Sequence, residues 1–173
     1  MTSILKVDQI QTTAGAAPTT KDLGLNVSGN ILNHSYTQYS SAATITLNNT
    51  NYVDSNLSLT VTPQSTSSKF IITYNVFIYL PSVVNNWVAA AGRILRDSTV
   101  IHTDAYSLGR GAFYNIGGAR VHSMVNSSDS YQDEPSTTSS ITYKLEIASY
   151  QGNTIYLHQG SQKGFLTVTE IEG

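Results

Sequence analysis

Four histidines, His34, His102, His122 and His158, and eleven acidic residues are the groups in this chain that could move protons, activate a nucleophile or hold a metal. Serine is abundant, so a Ser-His-acid set can be drawn on paper from many combinations. Nucleophilic catalysis needs those groups convergent, however, and no Gly-x-Ser-x-Gly elbow presents a serine. Glycoside hydrolysis needs two carboxylates flanking one sugar bond, and the acidic residues are scattered rather than paired. Cysteine is absent, which removes disulfides, thiolate zinc sites and thiol nucleophiles together. These observations point away from an enzyme.

Metal chemistry is weighed on two groups. Asp129, Asp133 and Glu134 offer oxygen ligands, but their spacing lacks the glycine-containing loop of a calcium site, and they read as turn and solvent-facing residues. His102 and Asp104 would join His122 only if their strands pair, and spacing alone does not deliver three ligands at zinc distance. The segment Gly109-Arg-Gly111 lacks the Gly-Lys-Ser/Thr ending of a phosphate loop, and no helix follows it. No catalytic residue, metal ligand or cofactor is assigned.

Recognition of a saccharide is the sharper positive reading. Sugars are held by aromatic faces and by short polar side chains that direct hydrogen bonds, and eleven tyrosines with Trp87 supply the first. Tyr74, Tyr79, Tyr143 and Tyr156 fall in strand patterns and read as packing residues. Trp87, Tyr106, Arg110, Phe113, Tyr114 and Tyr131 fall in or beside expected loops, and form the candidate receptor-binding set. A net charge of −2 with nine scattered Lys and Arg gives no basic face for phosphates, so nucleic acid is not an expected partner. Residues 1–10 carry no apolar run of signal-peptide length, and no run of about 18 apolar residues occurs, so membrane insertion is not expected.

The elements that must position these residues are strands. From Ser35 onward apolar residues alternate at period two and turn-formers recur, the pattern of a sandwich or barrel. Expected strands cover residues 43–47, 56–61, 69–80, 89–97, 99–103, 119–125, 140–150, 154–158 and 165–171. Along residues 141–147, Ile141, Tyr143, Leu145 and Ile147 face inward, and a one-residue slip would instead bury Lys144 and Glu146. Residues 70–79 are apolar on both faces, as expected of a central strand covered on one side by the core and on the other by neighbouring subunits. Residues 93–101 read as two strands folded about Asp97-Ser98, and Gly152-Asn153 as a tight hairpin turn. Residues 102–118 and 126–134 read as long loops. Residues 1–32 carry only short apolar alternations around a breaker-rich link, and are expected to pair with partner subunits or with a larger assembly.

Three phrases, residues 61–70 (VTPQSTSSKF), 132–145 (QDEPSTTSSITYKL) and 164–173 (GFLTVTEIEG), each feed a polar turn into a strand. In this order and spacing they resemble the small fibre-head domain of bacteriophage virion proteins, of marine or cyanophage type, over roughly residues 33 to 173. That head is similar to the trimeric jelly rolls of tumour-necrosis-factor and complement globular heads. Residues 5–13 (LKVDQIQTT) are similar to the opening of many short phage tail and virion proteins. The resemblance implies an all-β jelly-roll sandwich at 33–173, a virion-attachment arm at 1–32 with Leu5, Val7 and Ile10 as its contacts, and a homotrimer. It further implies a virion location on tail or capsid, synthesis in the host cytoplasm, and a short tail or head fibre that displays a host-surface-binding head. The alternative is a capsid or tail decoration (cement) protein that meets no receptor.

Overall fold

Side chains that alternate along a strand leave one face to be buried, and this chain buries it by running as a long antiparallel ribbon rolled on itself. The structure is a computed structural model and describes residues 29–39, 44–81, 86–104, 110–113 and 123–173. Its strands are β1 (Ile31–Gln38), β2 (Ile45–Leu47), β3 (Val53–Val61), β4 (Lys69–Leu80), β5 (Asn86–Arg96), β6 (Thr99–Asp104), β7 (Arg110–Phe113), β8 (Ser123–Asp133), β9 (Ile141–Ser149), β10 (Ile155–Leu157) and β11 (Phe165–Ile171), with a 3₁₀ turn at Gln159–Ser161.

The ribbon turns back at Asp97-Ser98, so that β5 pairs β6, β4 pairs β8, β3 pairs β9 and β1 pairs β11, all antiparallel. Rolling then brings β11 beside β4 and β9 beside β5. One sheet runs β1-β11-β4-β8, with β10 and β2 continuing from the far half of β4, and the other runs β3-β9-β5-β6, with β7 along the first half of β5. This is the strand order of a jelly roll, and the fold is an all-β sandwich. Asp97 makes the turn possible. Its φ of 53° is left-handed, which a short polar side chain tolerates, and its carboxylate accepts the Thr142 N–H at 2.8 Å while its own N–H donates to Thr142 O at 2.7 Å.

The core sits between the sheets. β4 contributes Phe70, Ile72, Tyr74, Val76, Ile78 and Leu80, and β9 contributes Ile141, Tyr143, Leu145 and Ile147. The register expected for residues 141–147 is the observed one. Glu146, on the other face, is nevertheless covered, because Arg93 Nη2 at 2.7 Å and Lys144 Nζ at 2.8 Å close over it. Burial alone would raise the Glu146 pKa, but hydrogen bonds from Lys144 and Arg93 outweigh it and hold the carboxyl below its ordinary value.

Four sequence expectations change. Residues 126–134 are not a loop, for β8 runs on to Asp133, paired with β4 from Leu80↔Ser123 to Phe70↔Asp133. A long central strand supplies the backbone partners, which outweighs the poor strand propensity of Asn126, Ser127, Ser128 and Asp129. Gly152 does adopt a positive φ of 73°, but the segment is not a hairpin turn, because β9 and β10 lie in different sheets. Within the expected loop of residues 102–118, Arg110–Phe113 form β7 against Asn86–Ala89. The sandwich also starts earlier than Ser35: β1 begins at Ile31, and Asn30 O and Gly29 N bond Glu172 N and O at 2.9 and 2.8 Å. No helix among the described residues is long and apolar enough to cross a membrane.

Candidate functional site

The three phrases that carry the resemblance meet at one end of the core, where their acidic residues hold the fold together. Strand register sets Glu170 opposite Phe70 and Phe70 opposite Asp133. Glu170 is buried, and its Oε1 accepts the Gln64 N–H at 2.6 Å and the Ser68 hydroxyl at 2.7 Å, which fixes the turn before β4. Asp133, also buried, accepts Arg96 Nη1 at 2.9 Å on both oxygens and the Tyr143 hydroxyl at 2.7 Å. Because Arg96 and Tyr143 come from the opposite sheet, this clamp ties the two layers together. Burial, then the bond to Asp133, raises the Tyr143 pKa so that its hydroxyl stays a donor. Asp133 is thus a paired, structural carboxylate, whereas Glu170 is held through Oε1 alone, its buried Oε2 making no hydrogen bond.

His158 is a second buried polar residue. Its ring stacks on Tyr39 with centroids 3.9 Å apart, and its Nε2 lies 3.4 Å from Ser55 O. Burial lowers its pKa, which keeps it neutral, and the stacked ring packs as core.

The strongest chemical grouping lies where the edge strands of the two sheets approach each other. His102 and Asp104 stand two residues apart on β6 and therefore share a side, and Asp129 comes from β8 of the other sheet. One ligand atom from each lies within 4.8 Å of the others. His102 Nε2 is 3.5 Å from Asp129 Oδ2 and 3.8 Å from Asp104 Oδ2. The Nε2 atom is buried and has no hydrogen-bond partner. Asp104 is held by the Tyr74 hydroxyl, which donates at 3.0 Å, and burial followed by the charge of Asp104 raises the Tyr74 pKa. The His102 ring stacks on Tyr131, centroids 4.7 Å apart at 25°. A cleft of about 250 Å³ opens beside the group, lined by Asp104, Ser127, Ser128 and Asp129.

From spacing, His102 and Asp104 would join His122 only if their strands pair, and His122 lies outside the described residues. Spacing had placed Asp129 in a different group with Asp133 and Glu134. Those three diverge: Asp133 forms the clamp, Glu134 lies 3.5 Å from Lys69 Nζ, and only Asp129 reaches the cleft. The i, i+2 spacing on β6 was a visible signal, but a cross-sheet partner has none.

Of the expected receptor-binding residues, Trp87, Arg110 and Phe113 fall in one two-stranded ladder, with Trp87 opposite Ala112, Arg110 opposite Ala89 and Phe113 opposite Asn86. Tyr131 is a strand residue rather than a loop residue, half-buried against the core and engaged with His102. Tyr106 and Tyr114 lie outside the described residues, as do Leu5, Val7 and Ile10. A different surface is rich in aromatic and short polar groups, namely the outer face of the β1-β11-β4-β8 sheet. Thr73 bonds Ser130 at 2.8 Å and Asn75 bonds Asn126 at 2.5 Å across β4 and β8. Tyr36 neighbours Phe165 at 6.1 Å and Tyr79 neighbours Tyr156 at 5.8 Å between ring centroids. Met124 and Tyr36 are 57% and 54% exposed.

Neither a family model nor a curated protein sequence matches the chain. Among solved structures it is similar to that of infectious bursal disease virus, Gx strain, at 18% identity and a TM-score of 0.33, covering 84% of this chain and 32% of that one. A crystal structure of the VP2 subviral particle of infectious bursal disease virus gives 16% identity and a TM-score of 0.36 over 80% of this chain and 33% of that one. The chain thus spans about a third of the length of these proteins, and a likeness this distant carries no argument about function.

Proposed function

We propose that the protein is a virion structural component: a homotrimeric jelly-roll head, carried on an N-terminal arm as a short tail or head fibre, that binds a host-surface saccharide. The observation that carries the reading is the outer face of the β4 sheet. From Ile71 to Tyr79 on β4, and across β8 from Met124 to Gln132, the outward positions hold Ile, Thr, Asn, Phe, Tyr, Met, Ser and Gln and no formal charge. Uncharged, aromatic-bearing surface of this kind packs against a copy of itself without stranding ions, as subunit interfaces require. The jelly-roll order of strands and the phage-like phrases at 61–70, 132–145 and 164–173 support the same reading. In a trimer, three weak saccharide sites act together through avidity. In this reading Trp87, Arg110, Tyr106 and Tyr114 contact the receptor; Phe113, which the register sets on the other side of the β5-β7 ladder from Trp87 and Arg110, does not, and Leu5, Val7 and Ile10 dock the arm on the particle.

Light scattering on the purified chain tests the assembly. A trimer is expected for the native protein, and monomers with unchanged circular dichroism for Met124→Glu and Tyr36→Glu; a native monomer at micromolar concentration refutes it. Antibody against residues 33–173 on intact virions tests the location. Label at fibre tips supports attachment, with loss of cell adsorption expected for Tyr114→Ala, whereas a uniform coat over capsid or tail replaces the fibre with a decoration protein.

A further inference from the structure

We infer that the cleft between β6 and β8 binds a divalent cation of the zinc class through His102 Nε2 and one carboxylate oxygen each of Asp104 and Asp129. The separations carry the argument. At 3.5 and 3.8 Å, His102 Nε2 stands beyond hydrogen-bond reach of both carboxylates. Ligands at zinc bond lengths of about 2.1 Å in a tetrahedron stand about 3.4 Å from one another, so the 3.5 Å separation already has the length of such an edge, and the other two, 3.8 Å and within 4.8 Å, need the side chains to close on the ion.

The orphaned nitrogen is the second observation. His102 Nε2 is itself buried, although its side chain is 27% exposed, and it makes no hydrogen bond, the two carboxylate oxygens standing 3.5 and 3.8 Å away; a metal ion between them would supply the missing partner. The ligands are also held in place from outside, as metal ligands commonly are. Tyr74 donates its hydroxyl to Asp104 from within the core, and Tyr131 stacks on the imidazole. Two carboxylates and a neutral imidazole balance a 2+ ion. The cleft beside them leaves the fourth position to water, with Ser127 and Ser128 on its wall. Calcium is disfavoured because it asks for six to eight oxygens, and this site offers a nitrogen and two carboxylates. As β6 and β8 belong to different sheets, the ion would clip the open edge of the sandwich.

The test uses untagged, chelator-stripped full-length protein with zinc chloride, calcium chloride and magnesium chloride, read by isothermal titration and thermal melting. Cobalt chloride reports the geometry through its visible absorption. One zinc per chain is expected, with a higher melting temperature and an intense tetrahedral cobalt spectrum. His102→Gln and Asp129→Asn should each weaken zinc binding by more than about 100-fold, and Tyr74→Phe by roughly 10-fold, in line with the loss of an outer-shell partner. Asp129 lies at the partly exposed edge, so its amide variant is the one expected to fold unchanged. His34→Gln, remote from the cleft, should bind as the native protein does. The inference is overturned if native protein takes up no zinc, if Asp129→Asn binds it undiminished, or if calcium binds more tightly than zinc.

Discussion

Removing the Asp133 carboxylate should destabilise the fold by about 3 kcal/mol, because the group is buried and serves partners from the opposite sheet. Asp133→Ala breaks the bonds from Arg96 Nη1, both 2.9 Å, and leaves the Tyr143 hydroxyl without its 2.7 Å acceptor inside the core. An orphaned buried hydroxyl costs about 1–3 kcal/mol. Arg96 is 27% exposed and recovers water, so its share is smaller than that of a fully buried partner. Tyr143→Phe removes the donor while leaving the ion pair, and should cost about 1–1.5 kcal/mol. Urea unfolding at pH 7 followed by far-ultraviolet circular dichroism measures both variants, and the double variant completes a cycle with an expected coupling of about 1 kcal/mol. For a chain of this length about 3 kcal/mol corresponds to a fall of roughly 6–12 °C in Tm. An Asp133→Ala cost below about 1 kcal/mol, or additive single effects, would refute the reasoning that this clamp joins the sheets.

Gly164→Ala should cost about 2–3 kcal/mol by overpacking, since a Cβ there would stand 2.7 Å from His158 Cε1 and 2.8 Å from the backbone oxygen of Asn75; denaturant midpoints check it, and a neutral result would mean the backbone gives way freely. His158 titrates below its unfolded value of 6.5, so the unfolded chain binds the extra proton. Its contribution is therefore complete above pH 6.5 and is lost as pH falls below it, by at most about 1.4 kcal/mol for the first unit. Comparing the pH 7.5 and 5.5 stabilities of the native protein and His158→Gln isolates that slope. Glu146 has the acidic sign: its lowered pKa contributes stability above its unfolded 4.5 that disappears as pH falls through the folded value, and Arg93→Gln should flatten that acid limb of the stability profile.

The strand faces were legible in the sequence wherever alternation was clean. Ile141, Tyr143, Leu145 and Ile147 all point inward as their spacing requires, and β4 and β11 begin and end where the pattern says. The turn at Asp97 was legible from residues that tolerate left-handed backbone. The polar half of β8 was not, because Ser127, Ser128 and Asp129 carry a turn-like composition and become a strand only by pairing with β4. Nor did residue types reveal that Asp129 and Asp133, four apart on one strand, would serve different ends, one at the cleft and one in the clamp.

Local alternation and turn chemistry by themselves determined the all-β class, the buried face of each clean strand and the point where the ribbon reverses, since these depend on side-chain direction and backbone preference over a few residues. The joining of Glu170 to Gln64, of Asp133 to Arg96 and of Asp129 to His102 was decided only by the rolling of that ribbon. Such partners lie tens of residues apart or more, where spacing along the chain carries no information and the packing of one sheet on the other supplies all of it.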